Sequence, residues 1–146
     1  MSETRNAAGI EVFTSSGEDL NPDTSSYLIT GDGQAALIDP GPDWHVESYL
    51  DALESTVDPG GWLYAVILSP LPGCLSGLRL LTRLTGKRAV MLHWTVAAGA
   101  GNLLSDWTAR SPDEKGGLLP IGAAHKILLA PPAGTCVPGS LVAFDR

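Results

Sequence analysis

"QAALIDPGPDWHVESYLDALESTVDPGGWLYAVILS", residues 34–69, changes from strand-like to helix-like patterning and back again. The β-prone run "QAALIDP" comes first, and Asp43 is placed to cap the helix that follows. Apolar residues then recur at helical spacing, at Val46, Tyr49, Leu50, Leu53 and Val57. Pro-Gly-Gly at 59–61 ends the helix, and "WLYAVILS" is an apolar run of the length of a buried strand. The stretch therefore predicts a βαβ unit with parallel strands.

The residues before this unit predict further strands. "SYLIT" (26–30) and "QAALIDP" flank the turn "GDG" (31–33), which is typical of a β-hairpin. "IEVFT" (10–14) predicts one more strand, and we expect residues 1–8 to be flexible.

The residues after the unit predict a second helix, a strand and a third helix. The second helix carries Leu75, Leu78, Leu81 and Leu84 and ends at Gly86. "RAVML" (88–92) predicts a buried strand, and residues 95–110 predict a helix weakened by two glycines. The short runs "GGLLPIG", "AHKILLAPPAG" and "GSLVAFD" predict an antiparallel meander.

Composition sets limits on the function. The chain has 146 residues, 44% of them hydrophobic, and a net charge of −7. That size predicts a single domain, residues 1–146. The acidic balance, without runs of Lys or Arg, argues against nucleic-acid and anionic-membrane partners. The polar N-terminus and the absence of a long apolar run predict a soluble, cytoplasmic protein.

The order of these segments resembles the metallo-β-lactamase superfamily, from about residue 24 to residue 145. The matching features are the strand that ends in Asp39-Pro40-Gly41, the run "LYAVILS" with its following loop, and "APPAGTCVPGSLVAFD". The resemblance implies an α/β fold of the αββα type, with a mixed sheet and flanking helices. It also implies that Asp39 organises the loops beneath a metal site without binding the metal.

The superfamily binds zinc or iron through T-H-x-H-x-D-H-x-G-G and a later G-H-T-P-G-S, and the metal activates water. On this pattern Ser69 replaces the leading Thr, and Cys74 replaces the Asp. Pro70, Pro72 and Leu75 replace histidines, and so does Cys136 before Pro138-Gly139-Ser140. Proline and leucine side chains have no donor atom, so we expect no catalytic residues, no cofactor and no metal. Asp39, Pro70, Pro72 and Gly77 are then structural residues at the former site.

Cys74 and Cys136 leave an alternative open. The resemblance maps both onto the same metal centre, so they could form a disulfide or bind zinc or iron, with His93 as a weak additional candidate. They could equally be small buried hydrophobic residues. His45 and His125 are widely spaced, His45 in the first turn of its helix and His125 near a hairpin start.

The sequence therefore predicts a noncatalytic binding or assembly module, with a thiol-based redox or metal-binding protein as the alternative. The superfamily has a further Asp and His in a second half, beyond Arg146 of this sequence. This predicts a fold that is truncated relative to the full form. The chain is then a fragment, or another chain supplies the missing layer, or the short form stands alone with a reduced sheet. Half of a two-layered fold leaves an apolar face, so we expect a homodimer or a protein partner that covers it.

Overall fold

The fold contains ten strands and three helices within the described residues, which in this computed structural model are 10–15, 23–69, 75–112, 116–132 and 140–145, with the backbone of 2–7. The strands are Ser2–Ala7 (β1), Ile10–Ser15 (β2), Thr24–Gly31 (β3), Gln34–Ile38 (β4), Trp62–Val66 (β5), Lys87–Met91 (β6), Thr108–Arg110 (β7), Leu118–Ile121 (β8), His125–Ala130 (β9) and Val142–Asp145 (β10). The helices are Asp43–Thr56 (α1), Leu78–Leu81 (α2) and Trp94–Ala100 (α3), the last followed by a 3₁₀ turn at Gly101–Leu104. None of the described helices is long and apolar enough to cross a membrane.

A seven-stranded mixed sheet is the centre of the fold, with its strands in the order β1 to β7. The first four strands pair antiparallel, and β4 to β7 pair parallel. The predicted hairpin and the predicted βαβ unit are both confirmed, the latter as β4, α1 and β5. The antiparallel meander is also confirmed, as a second sheet in the order β10-β9-β8.

The two faces of the large sheet pack against different elements of the chain. One face packs against the helices in a core that includes Phe13, Leu37, Val46, Tyr49, Leu53, Leu63, Leu78 and Val90. The other face packs against the small sheet through Ile29, Ile38, Val66, Met91, Leu119, Ile121, Ile127 and Leu129. Alternation along each strand sends neighbouring residues into the two cores, which is why the central strands are apolar throughout.

The outer face of the small sheet carries no helix among the described residues. By strand alternation and register, Leu118, Leu128, Val142 and Phe144 share this face, and we call these four residues the open face. Leu118 is 43% exposed and Phe144 is 56% exposed. The small sheet thus has an apolar surface on the side opposite its core.

Several predicted boundaries were wrong. Asp43 is the first residue of α1, and the N-cap is Pro42, whose extended backbone (ψ 164°) starts the helix without a side-chain cap. The second helix is only the single turn α2, although all four predicted leucines are buried.

The predicted helix over residues 95–110 ends after α3 and the 3₁₀ turn, and its last residues form β7. The parallel pairing of β7 with β6 satisfies backbone groups there, which local helical spacing could not reveal. The pattern also did not indicate β1, which pairs with β2 where we expected a flexible end.

Candidate functional site

The carboxyl ends of β4, β5 and β6 meet at one edge of the large sheet, where the resemblance places the former metal site. Asp39 lies there directly after β4, with a left-handed backbone (φ 48°) that aspartate tolerates better than most residues. Its Oδ1 accepts a hydrogen bond from the Leu68 N–H at 2.8 Å, and its own N–H donates to Val66 O at 2.8 Å. Burial raises the pKa of the Asp39 carboxyl, while the N–H groups of Leu68 and Ser69 act to lower it. Asp39 therefore ties the end of β4 to the strand beside it.

Leu75 and Gly77 lie where the loop after β5 enters α2. Leu75 is 3% exposed and belongs to the helical-face core, so its side chain packs with apolar groups. Gly77 lies so close to the Gly41 carbonyl oxygen and to Val46 Cγ2 that a Cβ atom there would collide with both. The Ser76 hydroxyl accepts from the Asp43 N–H at 3.2 Å, which joins this loop to the start of α1.

Four of the predicted site residues, Pro70, Pro72, Cys74 and Cys136, lie outside the described residues. The residues that flank their segments are close together, because the Leu141 N–H donates to Leu68 O at 2.9 Å. The start of the loop after β5 therefore lies beside the end of the loop before β10.

The histidines that sequence reasoning weighed as weak ligands have local roles. His93 caps α3, with its Nδ1 accepting from the Thr95 N–H at 3.3 Å and 2.8 Å from the Thr95 hydroxyl. The His125 Nδ1 lies 2.7 Å from Asp145 Oδ2, across the pair β9 and β10. Within the part of the chain that the structure describes, no group of three or more His, Cys, Asp or Glu side chains could hold a metal.

Several known structures share this architecture over 99% of this chain. No protein-family model matches the chain, and no curated protein matches its sequence. A fragment named diflavin flavoprotein A from Nostoc is 22% identical with a TM-score of 0.79, and covers 99% of this chain with 61% of its own length. A mutant flavo di-iron protein from Thermotoga maritima is 15% identical with a TM-score of 0.80, and the match takes in 99% of this chain and 40% of that one. A metallo-β-lactamase from Pontibacter korlensis is 16% identical with a TM-score of 0.72, over 99% and 66% of the two chains.

The chain has a metallo-β-lactamase-like fold. The resemblance seen in its sequence is thereby confirmed at the level of the fold. The chain spans about 40 to 60% of the length of the first flavo di-iron and diflavin neighbours.

A buried histidine that sequence reasoning undervalued lies under the edge of this metallo-β-lactamase-like fold. The His45 side chain is fully buried (0% exposed) within a polar cluster. Its Nδ1 lies 2.8 Å from Ser15 Oγ, and its Nε2 lies 2.9 Å from Ser26 Oγ. The Ser15 hydroxyl also contacts Ser48 Oγ at 2.8 Å. Tyr49 OH donates to Pro40 O at 2.7 Å, so the cluster reaches the residue that follows Asp39.

The hydrogen bonds of Ser26 assign a proton to one nitrogen of the His45 ring, and burial disfavours a second proton on the other. Ser26 Oγ donates its single hydrogen to the Asp39 carbonyl, so it must accept from His45 Nε2–H. The other nitrogen, Nδ1, then accepts from Ser15 in the neutral ring. Burial lowers the pKa of His45 from 6.5 to about 4, because a charged ring inside the protein would lack the water that stabilises its charge. His45 is therefore a neutral connector that holds β2, β3 and α1 together beneath Asp39.

Proposed function

We propose that this chain is a noncatalytic binding or assembly module built on the metallo-β-lactamase-like fold. The observation that carries the proposal is the burial in the apolar core of Leu75, the residue that the sequence resemblance aligns with a metal-binding histidine. Pro70 and Pro72 replace two further histidines of the motif and have no side-chain donor atom. Asp39 and Gly77 meanwhile make contacts that depend only on protein groups. The edge of the sheet thus has a protein-supported shape without the ligands that ordinary metal hydrolysis requires.

The surface that such a module would use is the open face. An exposed apolar patch on the outer side of a sheet favours contact with another protein. Beside it, the outer edge of β10 has no neighbouring strand among the described residues. Two copies related by a twofold axis can pack their open faces against each other, sheet on sheet, which would remove both apolar surfaces from water. We therefore propose a homodimer in which the open face is buried.

The homodimer predicts a strong effect of charge on the open face. Replacing both Leu118 and Phe144 by lysine should weaken dimerisation by about a hundredfold or more, because each change removes a large apolar contact and buries a charge. Sedimentation velocity over a concentration series measures the dissociation constant. Leu103→Lys is the matched control, because Leu103 is also 43% exposed but lies in the 3₁₀ turn after α3.

The control variant should dimerise like the unmodified chain. An unmodified chain that stays monomeric throughout the series would contradict the homodimer. So would a control variant that dissociates as much as the double variant. Circular dichroism of each variant reports whether the fold is intact.

A thiol-based or metal-binding function is the second candidate, and one observation favours it. The hydrogen bond from Leu141 to Leu68 brings the start of the segment that contains Cys74 beside the end of the segment that contains Cys136. Two neighbouring thiols could lose two protons and two electrons to an oxidant such as oxygen and form a disulfide. As thiolates they could instead bind zinc or iron. Two of the structural neighbours are named as di-iron proteins, the flavo di-iron protein and a chemotaxis sensor with a peroxy di-iron state.

Thiol titration and elemental analysis of the purified protein test this second candidate. It predicts either fewer than two free thiols before reduction, or bound zinc or iron that Cys74→Ser and Cys136→Ser each remove. Intact mass before and after reduction should differ by the two hydrogens of a disulfide in the first case. Two free thiols in metal-free protein would rule out the thiol-based function and leave the noncatalytic module.

A further inference from the structure

A pocket opens between the two sheets on the side of β6 and β7, away from the former metal motif. The small sheet covers the middle of the large sheet, and beyond β8 it leaves a space of about 130 Å³. Its walls include Tyr64, Met91, Arg110, Ser111, Leu119 and Pro120. Several of these side chains are apolar, and Arg110 and Ser111 add hydrogen-bond donors to the Tyr64 hydroxyl and to the amide of Gln34, which also lines the pocket.

Arg110 is placed in this pocket by the strand register. It lies opposite Met91 in the β6–β7 pair, so both side chains leave the same face of the sheet, toward the small sheet. Other arginines already have partners, since Arg79 pairs with Asp43 at 3.1 Å and Arg83 with Glu54 at 2.5 Å. Among the described residues, Arg110 forms no ion pair. The pocket therefore holds a guanidinium that a ligand could use.

Ser111 supplies a second indication of a ligand. Its Oγ is buried and has no hydrogen-bond partner among the described residues. Leaving a buried hydroxyl without a partner is unfavourable, so such groups are uncommon unless something binds to them. A ligand oxygen beside Arg110 would be within the same pocket as this hydroxyl.

We propose that this pocket binds a small carboxylate with a short hydrocarbon chain. The planar guanidinium of Arg110 matches the two oxygens of a carboxylate, and the Ser111 hydroxyl can donate a further hydrogen bond. Met91, Leu119 and Pro120 then contact the hydrocarbon part. At about 130 Å³ the pocket is smaller than the roughly 300–1,000 Å³ typical of drug-sized ligands, which restricts the chain to a few carbons.

Calorimetric titration of the full chain with butanoate tests the site. We expect Arg110→Gln to weaken binding by about tenfold or more, because the paired charge is lost. The affinity of Arg110→Lys for butanoate should lie between those of the unmodified chain and Arg110→Gln, since lysine keeps the charge but not the forked geometry. Ser111→Ala should also weaken binding. Arg83→Gln removes the same charge from a remote surface pair and should bind butanoate like the unmodified chain.

Two further probes decide the class of ligand. Butanamide has the same shape without the charge and should not bind, and inorganic phosphate should compete poorly because it has no apolar part. Equal binding of butanamide would overturn the role of Arg110. Equal binding of phosphate, or an equal loss in Arg83→Gln, would show nonspecific anion binding and overturn the site. Leu118 lines both this pocket and the open face, so the titrations are made at a protein concentration at which sedimentation velocity shows a single species. A failure to bind butanoate would then overturn this site alone, because the sedimentation series tests the homodimer separately.

Discussion

Replacing His45 by glutamine should remove most of the decrease in unfolding free energy that His45 causes at acid pH. In the unfolded chain a histidine takes up a proton near its ordinary pKa of 6.5, whereas in the folded protein burial lowers the pKa of His45 to about 4. Between these two values the unfolded chain binds more protons than the folded one. Stability therefore falls as the pH falls through this window, and below the folded value this group causes no further loss.

The size of the effect follows from the two pKa values. From pH 7 to pH 5 His45 alone should cost the unmodified chain about 2 kcal/mol of unfolding free energy. Urea unfolding at the two pH values, for the unmodified chain and for His45→Gln, measures this difference. At pH 7 the variant should itself be less stable, because one amide cannot replace both ring nitrogens between Ser15 and Ser26.

His93→Gln is the matched control for this experiment. His93 is half-buried and contacts Thr95 at the start of its own helix, so its substitution removes one histidine without touching the cluster of Ser15, Ser26 and His45. The raised pKa of Asp39 acts in the opposite sense near the acid end, but it is common to all three proteins and cancels in the comparison. Equal pH dependence in His45→Gln and the unmodified chain would contradict a neutral, buried His45.

The sequence predicted the fold well where local pattern and tertiary packing agree. The βαβ unit shows both signals, because α1 has apolar residues at helical spacing and β5 is an apolar run between turns. In α2 the spacing predicted the burial of Leu75 and Leu84 but not their conformation, since both lie in turns that flank a single helical turn. Residues 108–110 form a strand because they pair with the edge of β6, and this pairing depends on the assembled sheet and not on the local sequence.

The residues of the candidate site also fall into two groups, those that the sequence indicated and those that it did not. Asp39 and Gly77 could be found from the motif, because their positions relative to the strands are fixed along the chain. The His45 cluster could not, since Ser26 and Ser15 lie 19 and 30 residues away from the histidine in sequence. Arg110 and Ser111 were missed because the pattern assigned Arg110 to a helix, in which it would not have faced the small sheet.

Gly77→Ala should lower the unfolding free energy by about 3 kcal/mol, as expected for overpacking against rigid groups. The backbone of Gly77 (φ −71°) suits any residue, so the cost comes from space alone. The added methyl group would collide with the Gly41 carbonyl oxygen and with Val46 in the core. Neither can move easily, because Gly41 has a left-handed backbone (φ 84°) and Val46 is fully buried.

Gly99→Ala is the control, since Gly99 lies in α3 with no atom within 4 Å of an added Cβ. That change should stabilise the chain by up to about 1 kcal/mol, because alanine favours helix more than glycine does. Urea unfolding of both variants should therefore give shifts of opposite sign. If protein packing holds the loop of Leu75 and Gly77, the loss in Gly77→Ala should be the same before and after treatment with a chelator. A loss that appears only without chelator would mean that a bound metal holds the loop, and would favour the metal-binding alternative over the noncatalytic module.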